Sequence, residues 1–186
     1  LTEVILERFK EERKNDPSQQ IEVLLKILIR TDGYLNSANT KSTILLSLSS
    51  ALFATILLNY DKFLQRLDEI NDKYILSLFG LISLILLLLA IFYSLKGMIP
   101  YLEPSSQKNI YSFVDLRHYF KSASEYSVGL KEKNNHERIE SLVSLNYNLS
   151  GALLEKYNYH KRSIECITVS LISLGLMVLV IILSEI

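Results

Sequence analysis

Three runs of this chain carry apolar residues without the polar interruptions that an amphipathic pattern requires. They cover residues 43–60 (TILLSLSSALFATILLNY), 74–95 (YILSLFGLISLILLLLAIFYSL) and 166–183 (CITVSLISLGLMVLVIIL), and none holds a charged side chain. A bilayer's hydrocarbon core is about 30 Å thick, so a spanning helix needs roughly 17–25 mostly apolar residues. A domain of 186 residues rarely buries three such helices at once. The pattern therefore predicts three transmembrane helices.

Between these runs the periodicity changes. Residues 3–14 predict an amphipathic helix with Val4, Ile5 and Phe9 on one side. Asp16, Pro17 and Ser18 break it, and Asp16 or Ser18 is placed to cap the next helix. Ile21, Leu24, Leu25, Leu28 and Ile29 recur at helical spacing, which predicts a helix running into the first span with a loosening at Gly33. In 61–73, Phe63, Leu64, Leu67 and Ile70 share a face, so the helices are expected to project beyond the lipid there. Gly97, Pro100 and Pro104 end the second span. Phe113, Leu116, Tyr119 and Phe120 suit one amphipathic helix between Ile110 and Leu130, followed by a polar turn over 131–136. Leu142, Leu145, Leu149, Leu153 and Tyr157 then predict a long helix over 139–162 that continues into the third span.

The expected fold is an all-α membrane protein with three transmembrane helices per chain, a helical cytosolic bundle and assembly into a homo-oligomer. Residues 1–42 form N-terminal cytosolic helices, 43–95 a transmembrane hairpin, 96–163 a cytosolic helical sensing region and 164–186 the third transmembrane helix. No period-two strand pattern and no internal repeat stands against this reading.

Charge sets the expected orientation. Residues 1–42 carry seven Lys/Arg and 96–163 carry ten, whereas 61–73 holds Lys62, Arg66 and Lys73 beside four acids. By the positive-inside rule the first two segments face the cytosol, which puts the N-terminus inside. Overall, 20 basic residues balance 20 acidic ones, so no net field recruits nucleic acid or anionic lipid. No cleavable signal peptide is visible, since the first oily run begins only near residue 43. The one cysteine, Cys166, cannot form an intrachain disulfide.

Catalytic constellations are absent from the sequence. The six glycines are scattered and make no phosphate loop, and His118, His136 and His160 lack metal-ligand spacing. Asp115 and His118 at i, i+3 could anchor a metal or a proton relay, but a solvated helix face explains them more simply. The chain is expected to be no enzyme and to need neither cofactor nor metal. Polar residues inside the spans carry more information. Ser47, Ser50, Ala51 and Ala54 lie near one face of the first span. Small residues permit close helix packing, and the same face could line a pore once several chains assemble.

Basic-aromatic groupings could hold an anion on the cytosolic side. Lys41, with Asn36, Asn39 and Thr40 nearby, sits at the lipid boundary, where snorkelling to headgroups is the alternative. Tyr157, Tyr159, His160, Lys161 and Arg162 cluster before the third span, where the positive-inside rule also expects basic residues. The middle segment adds Arg117, His118 and Lys121 among Tyr111, Tyr119 and Tyr126. Bases stack on aromatic faces and Lys or Arg neutralises phosphates, so this chemistry suits a nucleotide or a single strand.

The run Ala38-Asn39-Thr40-Lys41-Ser42 resembles the Ala-Asp-Thr-Lys-Ala-like signature that precedes the first span in the Pycsar transmembrane effector family of bacterial antiphage defence. Asn39 stands where that family has an acid. The aromatic-Asp segment Phe113-Val114-Asp115 and the helix bearing Lys156-Tyr157 are similar in layout. The resemblance implies a toxic membrane effector in the bacterial inner membrane, encoded beside a nucleotidyltransferase or cyclase. A nucleotide second messenger would control pore or ion-channel opening, depolarising the membrane and arresting growth in an abortive infection. The related Hailong-type arrangement implies a channel held inactive by a nucleotide polymer, so the ligand could be an oligonucleotide and its sign either activating or inhibiting. A non-conducting scaffold that docks a cytosolic partner protein is the alternative.

Overall fold

A computed structural model describes residues 16–105 and 108–184. The expected amphipathic helix over 3–14 lies outside the described residues. Those described form five helices and, among them, no strand: α1 Pro17–Leu64, α2 Ile70–Met98, α3 Phe113–Tyr119, α4 Ala123–Glu132 and α5 Asn135–Ser184. At 1.5 Å per residue the 48-residue α1 and 50-residue α5 are each roughly 70 Å long, more than twice a hydrocarbon core. Each carries one span and an extension outside it. The three long helices are apolar enough to cross a membrane, and no more than 28% of any span window is buried within the chain. A soluble core helix would bury most of its apolar surface. These helices face most of it outward, so lipid is their solvent.

The chain divides into two compact units. One contains residues 16–36 and Pro100–Leu153, the other residues 37–99 and 154–184.

The first unit is built around the N-terminal part of α5. Its Leu142 and Leu145 are buried, as are Ile110 and Phe120. The Asn146 amide donates to the carbonyls of Leu24 (3.2 Å) and Leu142 (3.0 Å), which ties the start of α1 to α5. Buried Asn109 fixes the connecting segment by donating to Ser141 O at 2.7 Å. Helix starts here use side-chain caps. Asp16 accepts from the Ser18 amide and hydroxyl ahead of Pro17. Ser122 accepts from Glu125 N while Glu125 accepts from Lys121 N, and Asn134 and Glu137 exchange a reciprocal pair. The Ser122 box corrects the single helix expected between Ile110 and Leu130: the segment is two helices, because the cap turns the chain at Phe120–Ser122. A second correction concerns Gly33, where α1 continues without the expected loosening.

The second unit is a three-helix bundle. On α2 the buried positions are Leu76, Gly80, Ser83, Leu87, Ala90, Ser94 and Gly97, alternating steps of four and three. That spacing averages about 3.5 residues, the period of a left-handed helix seam. Facing it, α5 buries Ser163, Ile167, Ser170, Ser173, Met177 and Ile181. Small residues let the backbones approach, and hydroxyls then bond across: Ser94 and Ser163 at 2.9 Å, Ser163 to Ala90 O at 3.1 Å, Ser173 to Phe79 O at 3.0 Å. Ser83 and Ser170 exchange weaker bonds to one another's carbonyls, at 3.4 and 3.3 Å. Lipid supplies no hydrophobic drive between helices, so packing and such bonds, averaging about 0.6 kcal/mol each, must hold the seam. At the end of the spans nearest the α1–α2 connection, Leu67, Leu76, Met177 and Ile181 make an apolar plug with Phe63, Leu64, Phe79 and Leu174.

Candidate functional site

At the other end of the bundle, where α2 finishes, the side chains turn polar. Lys156 of α5 is 7% exposed, yet no carboxylate among the described residues receives its ammonium. It donates instead to Gly97 O at 2.7 Å, Ile99 O at 3.0 Å and the Asn39 side-chain oxygen at 3.1 Å. Gly97 and Ile99 sit at the C-terminal end of α2, where orphan carbonyls and the negative pole of the helix dipole favour a cation. All three protons of the ammonium are thereby used, and one side chain clasps α1, α2 and α5. Burial holds the Lys156 ammonium below the usual lysine pKa.

One turn further along α5, His160 shares a 2.6 Å hydrogen bond between its Nε2 and Ser42 Oγ. Its Nδ1 is buried and finds no partner among the described residues. Burial, then the nearby Lys41 and Lys156 charges, push its pKa down, which favours the neutral ring. Gly97 lets these groups meet: a Cβ built there would lie 2.8 Å from Ser42 Oγ and 3.3 Å from the His160 ring. Lys41 lies over the Tyr157 ring, 5.2 Å from its centre, within cation–π range. Tyr157 in turn meets His160 edge-on at 5.7 Å.

The run Ala38–Ser42 thus acquires a physical reading. Ala38 is fully buried, Asn39 receives Lys156, Lys41 covers Tyr157, and Ser42 bonds His160. Of the sequence-derived nucleotide residues, Asn39, Lys41, Tyr157 and His160 come together here. Lys161 and Arg162 belong to the same unit but reach elsewhere, to Glu165 at 3.9 Å and over Tyr93 at 5.7 Å. Asn36, Arg117, His118 and Lys121 belong to the first unit. There Arg117 and Lys121 border a shallow depression with Phe120 and Tyr126, and His118 stands edge-on to Tyr119. Asp115 and His118 do not act together: Asp115 is fully buried and accepts from Ser105 N at 2.8 Å, while His118 is exposed. No metal-holding group of side chains occurs among the described residues. Lys156, the centre of the cluster, stands out in sequence only through the family-like layout of the helix bearing Lys156-Tyr157, and nothing local to it signals a clasp. Ser47, Ser50, Ala51 and Ala54 are all exposed on the single chain.

Residues 23–184 match the Pycsar effector protein domain, PycTM. The chain belongs to the Pycsar transmembrane effector family. That places it among the membrane effectors of antiphage defence. It is also similar to the Pycsar effector protein EcPycTM of Escherichia coli, 32% identical over 92 residues. That alignment takes in 48% of this chain and 49% of the relative, so the chain spans about half the length of the curated relative it matches. No solved structure matches the chain.

Proposed function

We propose that this Pycsar effector is an oligomeric pore or ion channel of the bacterial inner membrane, N-terminus in the cytosol, whose opening a nucleotide signal controls. The reading is supported above all by the Lys156 clasp. One buried ammonium joins all three helices of the bundle, so a ligand that competes for it would move three spans at once. A nucleotide phosphate is a stronger acceptor than a carbonyl, and Lys41, His160 and Tyr157 beside it add charge, a spare ring nitrogen and a stacking face. Such a ligand shifts the equilibrium only by its difference in affinity for the closed and open arrangements. Three helices enclose no conduction path alone, so several chains are required, with the exposed Ser47, Ser50, Ala51 and Ala54 face lining it. The consequence would be depolarisation and growth arrest of the infected cell, with the nucleotide made by an adjacent nucleotidyltransferase or cyclase.

Reconstituted liposomes test this. Ion flux is expected to change on adding nucleotide, and Ser47→Leu with Ser50→Leu is expected to lower it at least tenfold. No flux under any nucleotide would overturn it. A non-conducting scaffold is favoured by one observation: the span hydroxyls of Ser83, Ser94, Ser163, Ser170 and Ser173 are spent inside the chain's own bundle. Under that alternative the double substitution leaves permeability unaffected.

A further inference from the structure

On the outside of the three-helix bundle, at the end where α2 finishes, two cations stand over aromatic rings. Lys96 of α2 lies 5.6 Å from the centre of the Phe92 ring, and Arg162 of α5 lies 5.7 Å from that of Tyr93 on α2. The two rings meet edge-on, 5.7 Å between centres, which joins the cations into one patch. Arg162 thus reaches from α5 to α2, beside the Ser94–Ser163 bond that holds the same two helices together. Neither cation forms an ion pair among the described residues, and Glu165, one turn along α5 from Arg162, pairs with Lys161 at 3.9 Å. Lys96, Arg162 and Phe92 are all exposed.

Below this patch the surface is apolar and faces outward. Exposed Ile85, Leu89 and Phe92 lead up one face of α2 to Lys96, and exposed Val169 and Leu176 follow Arg162 at every seventh residue of α5. A cationic rim above an apolar strip has the polarity of a phospholipid, whose phosphate lies at the headgroup level and whose acyl chains run along the span. The chain as a whole carries no net charge, so the attraction is local. Snorkelling asks only that a basic side chain extend to water. Here the guanidinium of one helix is laid on a ring of the next, where the cation–π contact holds it in position. A choline or ethanolamine head would bring its own ammonium to two cations, whereas an anionic head meets opposite charge alone.

We propose that Lys96 and Arg162 bind the phosphate of an anionic phospholipid in the leaflet at this end of the spans, with the Phe92 and Tyr93 rings holding them in place. The lipid then links α2 to α5 from outside the bundle, where Lys156 joins them from within. This requires that the spans lie in lipid, and rests on neither conduction nor nucleotide control.

Native mass spectrometry of the full chain in detergent tests it, with equimolar phosphatidylglycerol and phosphatidylcholine of matched acyl chains. One Lys or Arg beside an anionic headgroup is worth about fivefold in affinity. Bound phosphatidylglycerol is therefore expected to exceed phosphatidylcholine by about fivefold or more. Lys96→Gln with Arg162→Gln, both at exposed positions, should remove most of that preference at unchanged helix content. Lys26→Gln with Lys62→Gln takes away the same charge elsewhere and should leave the preference intact. Equal binding of the two lipids by the parent, a preference that survives the Lys96 and Arg162 changes, or an equal loss in both pairs would each overturn the assignment. A free phosphate shares the chemistry of the headgroup, so inorganic phosphate in excess over lipid is the second probe. It is expected to leave the bound lipid in place, and displacement would make the patch a soluble-anion site and overturn the lipid reading.

Discussion

Replacing Lys156 by Met isolates the clasp from the rest of the bundle. The substitution keeps an unbranched side chain of similar length but removes the ammonium that serves Gly97 O, Ile99 O and Asn39. Gly97 is buried, so its carbonyl is left without a donor, at a cost of about 1–3 kcal/mol. Ile99 and Asn39 are exposed, so their oxygens recover water and contribute less. Against these losses stands relief from holding a cation out of solvent, the same effect that lowers the lysine's pKa. The balance is a destabilisation of about 2 kcal/mol, or roughly a thirtyfold shift in the folding equilibrium.

The partner substitution, Asn39→Asp, sharpens the test, because it places a carboxylate where Lys156 already donates at 3.1 Å. With Lys156 present it is expected to stabilise the bundle by about 1 kcal/mol through a charge-assisted bond. Combined with Lys156→Met it leaves an unpaired negative charge near the end of α2 and is expected to destabilise. Denaturant unfolding of the parent, the two single variants and the double variant in detergent, followed by helix content, gives the coupling directly. A coupling under about 0.5 kcal/mol, or a melting curve unmoved by Lys156→Met, would refute the clasp.

Substitutions around the clasp extend the test. Gly97→Ala forces Ser42 or the His160 ring to shift and is expected to cost about 1–3 kcal/mol, read by the same unfolding assay, whereas Gly33→Ala meets nothing and should be neutral or slightly stabilising. His160 has a folded pKa below its unfolded value of about 6.5, so the unfolded chain binds more protons in the interval between them. Its contribution to stability is therefore complete above about pH 6.5 and falls as the pH drops below it. His160→Asn should flatten the dependence of melting temperature on pH between about 7.5 and 5.5, and an unchanged slope would remove His160 as the cause. Ser122→Ala should loosen α4 by about 1 kcal/mol, seen as faster amide exchange at its first turn.

The spans, the long α5 and the stop after Gly97 were legible because each rests on strong local signals: charge-free length, sustained helical spacing, and Gly or Pro punctuation. The break at Phe120–Ser122 was less so, although Ser122-x-x-Glu125 and Asn134-x-x-Glu137 are both capping-box spacings. Apolar periodicity through Phe113, Tyr119 and Phe120 outweighs the caps. In the structure that periodicity is not kept as one buried face: Phe120 is buried in the first unit, whereas Phe113 is exposed.

The site was half legible for a different reason. Asn39, Lys41, Tyr157 and His160 stand out separately, from charge and aromatic composition, but Asn39 and Lys156 are 117 residues apart and Ser42 and His160 are 118 apart, and no local rule joins them. What joins them is the seam of α2. A strict seam fixes which face of α2 meets α5, and it ends on Gly97 at the point where α5 presents Lys156 and His160. The hydroxyls divide by the same geometry. Those in register with the seam, Ser83, Ser94, Ser163 and Ser170, are consumed in holding α2 to α5, whereas Ser47 and Ser50 fall out of register and stay exposed. Counting hydroxyls in a span therefore says little. Their phase relative to the partner helix decides whether they bind the chain to itself or remain for water or for another copy of the chain.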